Sequence, residues 1–113
     1  MPTSGDIVLI DFGLPQGHEA GFARPAVVVT ASDVLDAGPP ILQVVPLTST
    51  VRRYKAEVVI EPDAANRLAV TSAAQCQHIR SLATSRVSER IGRVSAVHLR
   101  QIRETLALLL DLL

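Results

Sequence analysis

The chain is short of several things, and each shortage removes a class of function. Cys76 is its single cysteine, so no internal disulfide can form and no cysteine cluster can hold a metal. Three histidines, His18, His78 and His98, are scattered without the spacing of a zinc site. Asp6, Asp11, Asp33 and Asp36 are placed on separate elements, which argues against a metal nuclease. Neither a metal nor a cofactor is expected. Tryptophan is absent, and Phe12, Phe22 and Tyr54 are the only aromatics. Extensive base stacking is therefore not expected, and recognition would depend on hydrogen bonds and shape. No run approaches the roughly 18–20 apolar residues of a membrane span. The opening Met1–Asp6 segment lacks a basic flank and is broken by Gly5 and Asp6, unlike a secretory signal. A cytoplasmic protein without membrane contact is expected.

Net charge is missing too, since eleven basic residues balance eleven acidic ones. The distribution is less even than the sum. Residues 1–36 carry one base, Arg24, against five acids, whereas residues 50–103 carry ten bases against four acids. Ten of the eleven bases are arginine, the side chain suited to bidentate phosphate contact. An arginine preference spread along the whole basic half is the competing explanation. The 113 residues are 48% hydrophobic and 19% charged, too apolar for disorder and long enough for one domain, 1–113.

Short apolar runs punctuated by Gly and Pro read as strands. They are Ile7–Phe12, Pro25–Thr30, Ile41–Val45 stopped by Pro46, and Glu57–Ile60 ended by Glu61-Pro62-Asp63. Leu68–Thr71, Ile79–Leu82 and Arg90–Val94 are weaker strand candidates. Residues 13–21, 36–40 and 48–55 read as loops. The last element differs: Leu99, Ile102, Leu106, Leu109, Leu110 and Leu113 recur at helical spacing behind Ser95, a plausible N-cap. One helix over Ser95–Leu112 is expected, with Leu108 and Leu112 widening its apolar face. Short strands followed by one helix suggest a mainly β domain, a small barrel with an appended C-terminal helix.

Five segments in order resemble the MazF/PemK toxins. They are Gly5-Asp6-Ile7-Val8, then Gly21-Phe22-Ala23-Arg24-Pro25 ahead of Ala26-Val27-Val28-Val29, and Val45-Pro46-Leu47-Thr48-Ser49. After these come Ala74-Gln75-Cys76-Gln77-His78-Ile79-Arg80-Ser81-Leu82, and Arg90-Ile91-Gly92-Arg93-Val94 before the final helix. Each is weak alone; together they nearly cover the chain. The resemblance implies an SH3-like barrel shared with the CcdB and Kid proteins. It also implies a homodimer, an endoribonuclease of a type II toxin–antitoxin system that cuts single-stranded RNA and arrests growth, and a cognate MazE-like antitoxin.

The residues in those segments suit that chemistry. RNA cleavage without a metal uses the 2′-hydroxyl as an internal nucleophile, so positioning does much of the work. Proton transfer and stabilisation of charge on phosphorus remain. Arg24, mounted on Pro25 at a loop-to-strand junction, is the candidate for the charge, and the family's catalytic arginine maps onto it. A surface ion pair with Glu19 or Asp6 is the competing structural role. Thr48, also catalytic by resemblance, and Ser49 offer hydroxyls for a phosphate oxygen or the scissile ribose, or for ordinary turn capping. His18 and Glu19, in the 13–21 loop, are candidate RNA-contacting groups able to exchange protons. Arg52, Arg53, Tyr54 and Lys55 combine charge with an aromatic, as single-strand binders do, or form a solvated loop. Gln77 is placed to read a base edge, and Arg80 to hold a phosphate or a structural salt bridge. The PemK branch has a catalytic Arg and Asp where this chain has Gln75 and Gln77, which favours the version built on Arg24 and Thr48. That departure also keeps open a degenerate member that only binds RNA or antitoxin. A second alternative is a CcdB-like toxin that binds DNA gyrase without catalysis; against it, the C-terminal tryptophan of those toxins is missing.

Overall fold

The computed structural model describes residues 1–14, 17 and 22–112. Among them, one antiparallel sheet is built from β1 (Asp6–Asp11), β2 (Ala23–Val28), β3 (Ile41–Thr48), β4 (Glu57–Ile60), β5 (Ser72–Gln75), β6 (Arg80–Ala83) and β7 (Val87–Arg93). A short helix α1 (Ser32–Asp36) follows β2, and α2 (Ala96–Leu109) comes last. Asp6 and Asp11 thus share β1, and Asp33 and Asp36 share α1, instead of standing on four separate elements. The strand order is β4-β5-β3-β2-β1-β7, with β6 also paired to β3. The edge strands β4 and β7 approach each other through the 61–68 loop, where the Arg93 N–H donates to the Ala65 carbonyl at 3.0 Å. The expected mainly β domain with a C-terminal helix is what forms.

The sheet has a core on each face. On one, Ile7, Val27, Val45, Leu47 and Ile60 meet Ile102 and Leu106 of α2. On the other, Val8, Ile10, Val28, Leu42 and Val44 pack with Phe12 and with Leu35 of α1. Adjacent residues such as Val44 and Val45 point to opposite faces, and both are fully buried. That two-sided burial explains why these strands read as continuous β-branched runs rather than alternating ones. Each fully buried aliphatic side chain contributes about 1.5–3 kcal/mol.

Several expected boundaries shift, for physical reasons. Pro46 does not stop β3, which runs on to Thr48. Beside β3 the neighbour changes from β6, last paired at Val44, to β5, first paired at Leu47. Pro46 stands in that gap, a place where a missing N–H is tolerated. Leu68–Thr71 is not a strand. The fully buried Asn66 organises this segment as a loop, its Oδ1 accepting from the N–H of Asp63 and of Leu68 at 3.0 Å each. Its amide nitrogen donates to the Glu61 carbonyl at 2.9 Å. Pairing resumes only at Ser72, opposite Ile60. β7 begins at Val87 rather than Arg90; its exposed charged residues Glu89, Arg90 and Arg93 suit an edge strand.

Ser95 does cap α2, its side chain accepting from the His98 N–H at 3.1 Å. The helix ends at Leu109 rather than Leu112. The Leu112 N–H bonds back to Ala107 and the Asp111 N–H to Leu108, while Asp111 takes φ 53°. This is a Schellman closure in which a short polar residue, instead of glycine, accepts the left-handed conformation. Leu108 in the last turn of the helix and Leu112 past its end remain exposed.

Candidate active site

Arg24 is the second residue of β2, not a loop residue, and lies opposite Ile10 of β1. Across its other edge, β2 pairs with β3 as Ala26↔Pro46, Val27↔Val45 and Val28↔Val44. That pairing ends at Ala26↔Pro46, and Arg24 and Thr48 each lie two residues beyond it. Paired residues share a face, and side chains alternate along a strand. Arg24 and Thr48 therefore lie on one sheet face, at the strand ends from which the 12–22 and 48–57 connections depart. Thr48 in turn pairs with Ala73 of β5.

Arg24 is half-buried and has no hydrogen-bond or ion-pair partner among the described residues. Burial pulls its guanidinium below the ordinary value, which strengthens it as an acid without removing its charge at neutral pH. The alternative ion pair with Asp6 does not form. Asp6 is buried in β1 and accepts from Arg90 Nε at 3.1 Å and from the Thr3 N–H at 2.7 Å. Burial alone would raise its carboxyl, but these hydrogen bonds and the Arg90 charge outweigh burial and hold it below the usual range. Thr48 is buried, and its Oγ1 accepts from the Thr50 N–H at 3.1 Å. It does cap a turn, and that bond leaves the hydroxyl hydrogen to donate elsewhere.

The remaining candidates divide into groups. Ser49, Arg52, Arg53, Tyr54 and Lys55 are all exposed on the connection that leaves Thr48. Arg53 holds φ 58°, and the Tyr54 carbonyl accepts from the Glu57 N–H. Gln77 is exposed on a short 3-10 turn, Cys76–His78, between β5 and β6. Arg80 is half-buried and turned toward β1: its Cζ lies 5.4 Å from the Phe12 ring centroid, and Nη1 donates to the Phe12 carbonyl at 3.4 Å. These contacts hold Arg80 against the stem of the 12–22 connection. His18 and Glu19 lie outside the described residues.

One functional candidate escaped the sequence reading. Glu57 heads β4 opposite Gln75 and is 8% exposed, yet its Oε1 has no partner among the described residues. Oε2 accepts from Gln77 Nε2 at 3.2 Å. The available signal was an acid beside the apolar run Val58-Val59-Ile60. Burial, with the Glu57 charge nearby, pushes the Cys76 thiol up to about 12, which agrees with an inert core cysteine.

Residues 3–110 match the model of the PemK-like, MazF-like toxins of type II toxin–antitoxin systems. The chain belongs to that family. The endoribonuclease MazF9 of Mycobacterium tuberculosis is 39% identical to this toxin over 117 residues, covering 99% of this chain and 98% of the relative. Among solved structures, MazF from Deinococcus radiodurans superposes with TM-score 0.82 at 32% identity, covering 97% of this toxin and 96% of that chain. A MazE–MazF structure from the same organism gives TM-score 0.76 at 29% identity, covering 99% and 97%.

Proposed function

We propose that this toxin is a sequence-selective endoribonuclease that cuts single-stranded RNA by attack of the 2′-hydroxyl on the adjacent phosphate. The products carry 2′,3′-cyclic phosphate and 5′-hydroxyl ends. Because the nucleophile belongs to the substrate, no metal is required to generate it. The observation that carries the reading is that Arg24, half-buried and with no side-chain partner among the described residues, shares a sheet face with Thr48. Arg24 stabilises charge on the phosphorane oxygens or donates to the leaving 5′-oxygen; burial favours both roles. Thr48 positions the phosphate or the 2′-hydroxyl through its O–H.

Ser49, Arg52, Arg53, Tyr54 and Lys55 continue from Thr48 as a basic, exposed track for the strand, with Gln77 toward the far edge. His18 and Glu19 are proposed to contact RNA from the 12–22 connection, and Arg80 to act near its stem. An acidic MazE-like antitoxin that covers this track would inhibit by charge mimicry. Assembly as a homodimer, action in the cytoplasm and growth arrest through loss of RNA complete the proposal. Among the described residues no helix is long and apolar enough to cross a membrane. The matched family and the relatives named above lend no support to the gyrase-binding alternative.

The test is a digest of a long single-stranded RNA in excess EDTA, with both ends of each product analysed. Cuts at a recurring short sequence with cyclic-phosphate and 5′-hydroxyl ends are expected. A folded toxin that leaves varied RNAs intact would point to the binding-only member. Cleavage abolished by EDTA would replace the internal-nucleophile mechanism.

A further inference from the structure

Glutamine is an ambiguous reader of nucleic acid, because its amide presents a donor and an acceptor that exchange by a simple flip. Gln77 has lost that ambiguity. Its Nε2 donates to Glu57 Oε2 at 3.2 Å, where the carboxyl oxygen is the acceptor. The nitrogen must therefore face Glu57, and Oε1 is left as the outward atom, without a partner among the described residues. Gln77 itself is exposed, whereas Glu57 is 8% exposed.

Fold stability does not explain that carboxylate. Glu57 Oε1 is sealed from solvent without a hydrogen bond, and so is Oε1 of Gln75 directly across the ladder. A buried polar atom without a partner is destabilising, so these two acceptors do not add to the stability of the fold. Their location relates them to the candidate site. Glu57 and Gln75 share the sheet face of Arg24 and Thr48: Thr48 pairs with Ala73, and Gln75 is the next residue on that face of β5.

We infer that Glu57 is a positioning residue that fixes the polarity of Gln77, so that Gln77 meets the RNA with a carbonyl oxygen and selects a base bearing an amino group. Adenine, cytosine and guanine each carry an exocyclic amine that donates to Oε1; uracil has only its ring N3–H, flanked by two carbonyl oxygens that repel Oε1, and is disfavoured. The inference rests on the RNA-cleaving reading and adds one of its specificity determinants.

The full-length toxin is compared with Glu57→Gln, Gln77→Ala and the reciprocal double variant Glu57→Gln/Gln77→Glu, by mapping cut sites across a long RNA of varied sequence. Thermal midpoints are recorded alongside. The wild type discriminates against uracil at one position of its motif. Glu57→Gln lets the Gln77 amide turn over, and discrimination at that position alone falls about five- to tenfold. Gln77→Ala does the same. The double variant restores the preference, because the amide introduced at position 57 now donates and the carboxylate at position 77 again presents an oxygen outward. A purely structural Glu57 would lower the melting point or overall rate and leave the motif intact, which would overturn the inference. Failure of the double variant to restore the preference would overturn it as well. A wild type that cuts no RNA removes the cleavage reading and this inference together, whereas a wild type that cuts with a motif indifferent to residue 57 removes the inference alone.

Discussion

Gly92 offers the sharpest test of how the sheet is closed. Its backbone conformation is open to any residue, but a Cβ built on it falls 2.5 Å from the Asn66 carbonyl oxygen and 2.7 Å from that of Ala65. Both obstacles are backbone, and that backbone is held by the buried Asn66 amide and by the Arg93-to-Ala65 hydrogen bond. It cannot yield as the end of a flexible side chain would. Gly92→Ala must push the 61–68 loop away from β7. Overpacking of this kind costs about 1–3 kcal/mol, and loss of the Arg93 bond adds about 0.5–1.5 kcal/mol. A total near 3 kcal/mol is a large share of the roughly 6–17 kcal/mol expected for 113 residues. With an unfolding entropy of about 0.24 kcal/mol/K at this length, the melting midpoint falls by about 12 °C. Gly38→Ala is the control. It sits at φ 66° with nothing within 4 Å of its Cβ, so it meets conformational strain alone, about 1–2 kcal/mol. Calorimetry on both variants decides the matter. A Gly92→Ala midpoint within about 2–3 °C of wild type, or one less affected than Gly38→Ala, would refute the packing of β7 against the 61–68 loop.

Two further outcomes follow from the buried ionisable groups. With the Cys76 thiol pushed up to about 12, only about 0.01% is thiolate at pH 8; a disulfide-exchange reagent should label the unfolded toxin and leave the native one untouched, and fast native labelling would contradict the burial. Asp6 is held below its ordinary 3.8 by Thr3 and Arg90 in spite of burial. A depressed carboxyl stabilises the fold fully above its unfolded value and less as pH falls through the folded one. Acid titration of stability should therefore lose a component below about pH 3.8 that Asp6→Asn lacks, and identical acid limbs would contradict it.

What was legible in the sequence was what local chemistry decides. Glu57–Ile60 is a β-branched run fenced by Glu61-Pro62-Asp63, and its bounds came out as expected. Ser95 caps its helix for a local reason too. The errors lie where distant contacts override local signals. Pro46 reads as a stop until the change of partner strand around it is known. Leu68–Thr71 reads as a strand until Asn66 claims the backbone around it. The same division runs through the candidate site. Arg24-Pro25 and Thr48 stand out as residues, but their shared sheet face depends on the β2–β3 register, which no local pattern contains. Glu57 was passed over because its burial comes from the fold, and because the signal was one acid at a strand end.

Whether Arg24 and Thr48 form the reaction centre is decided by single-turnover cleavage of a short RNA carrying one cut site. Arg24→Ala is compared with wild type at saturating toxin, with RNA affinity measured separately on a substrate whose 2′-hydroxyl is removed. Loss of one preorganised charge-stabilising group lowers the chemical step by about 10²–10³-fold. A fall of that size in the cleavage rate is expected, with affinity changed far less. A variant that cuts at the wild-type rate once saturated, and is impaired only in binding, would contradict it.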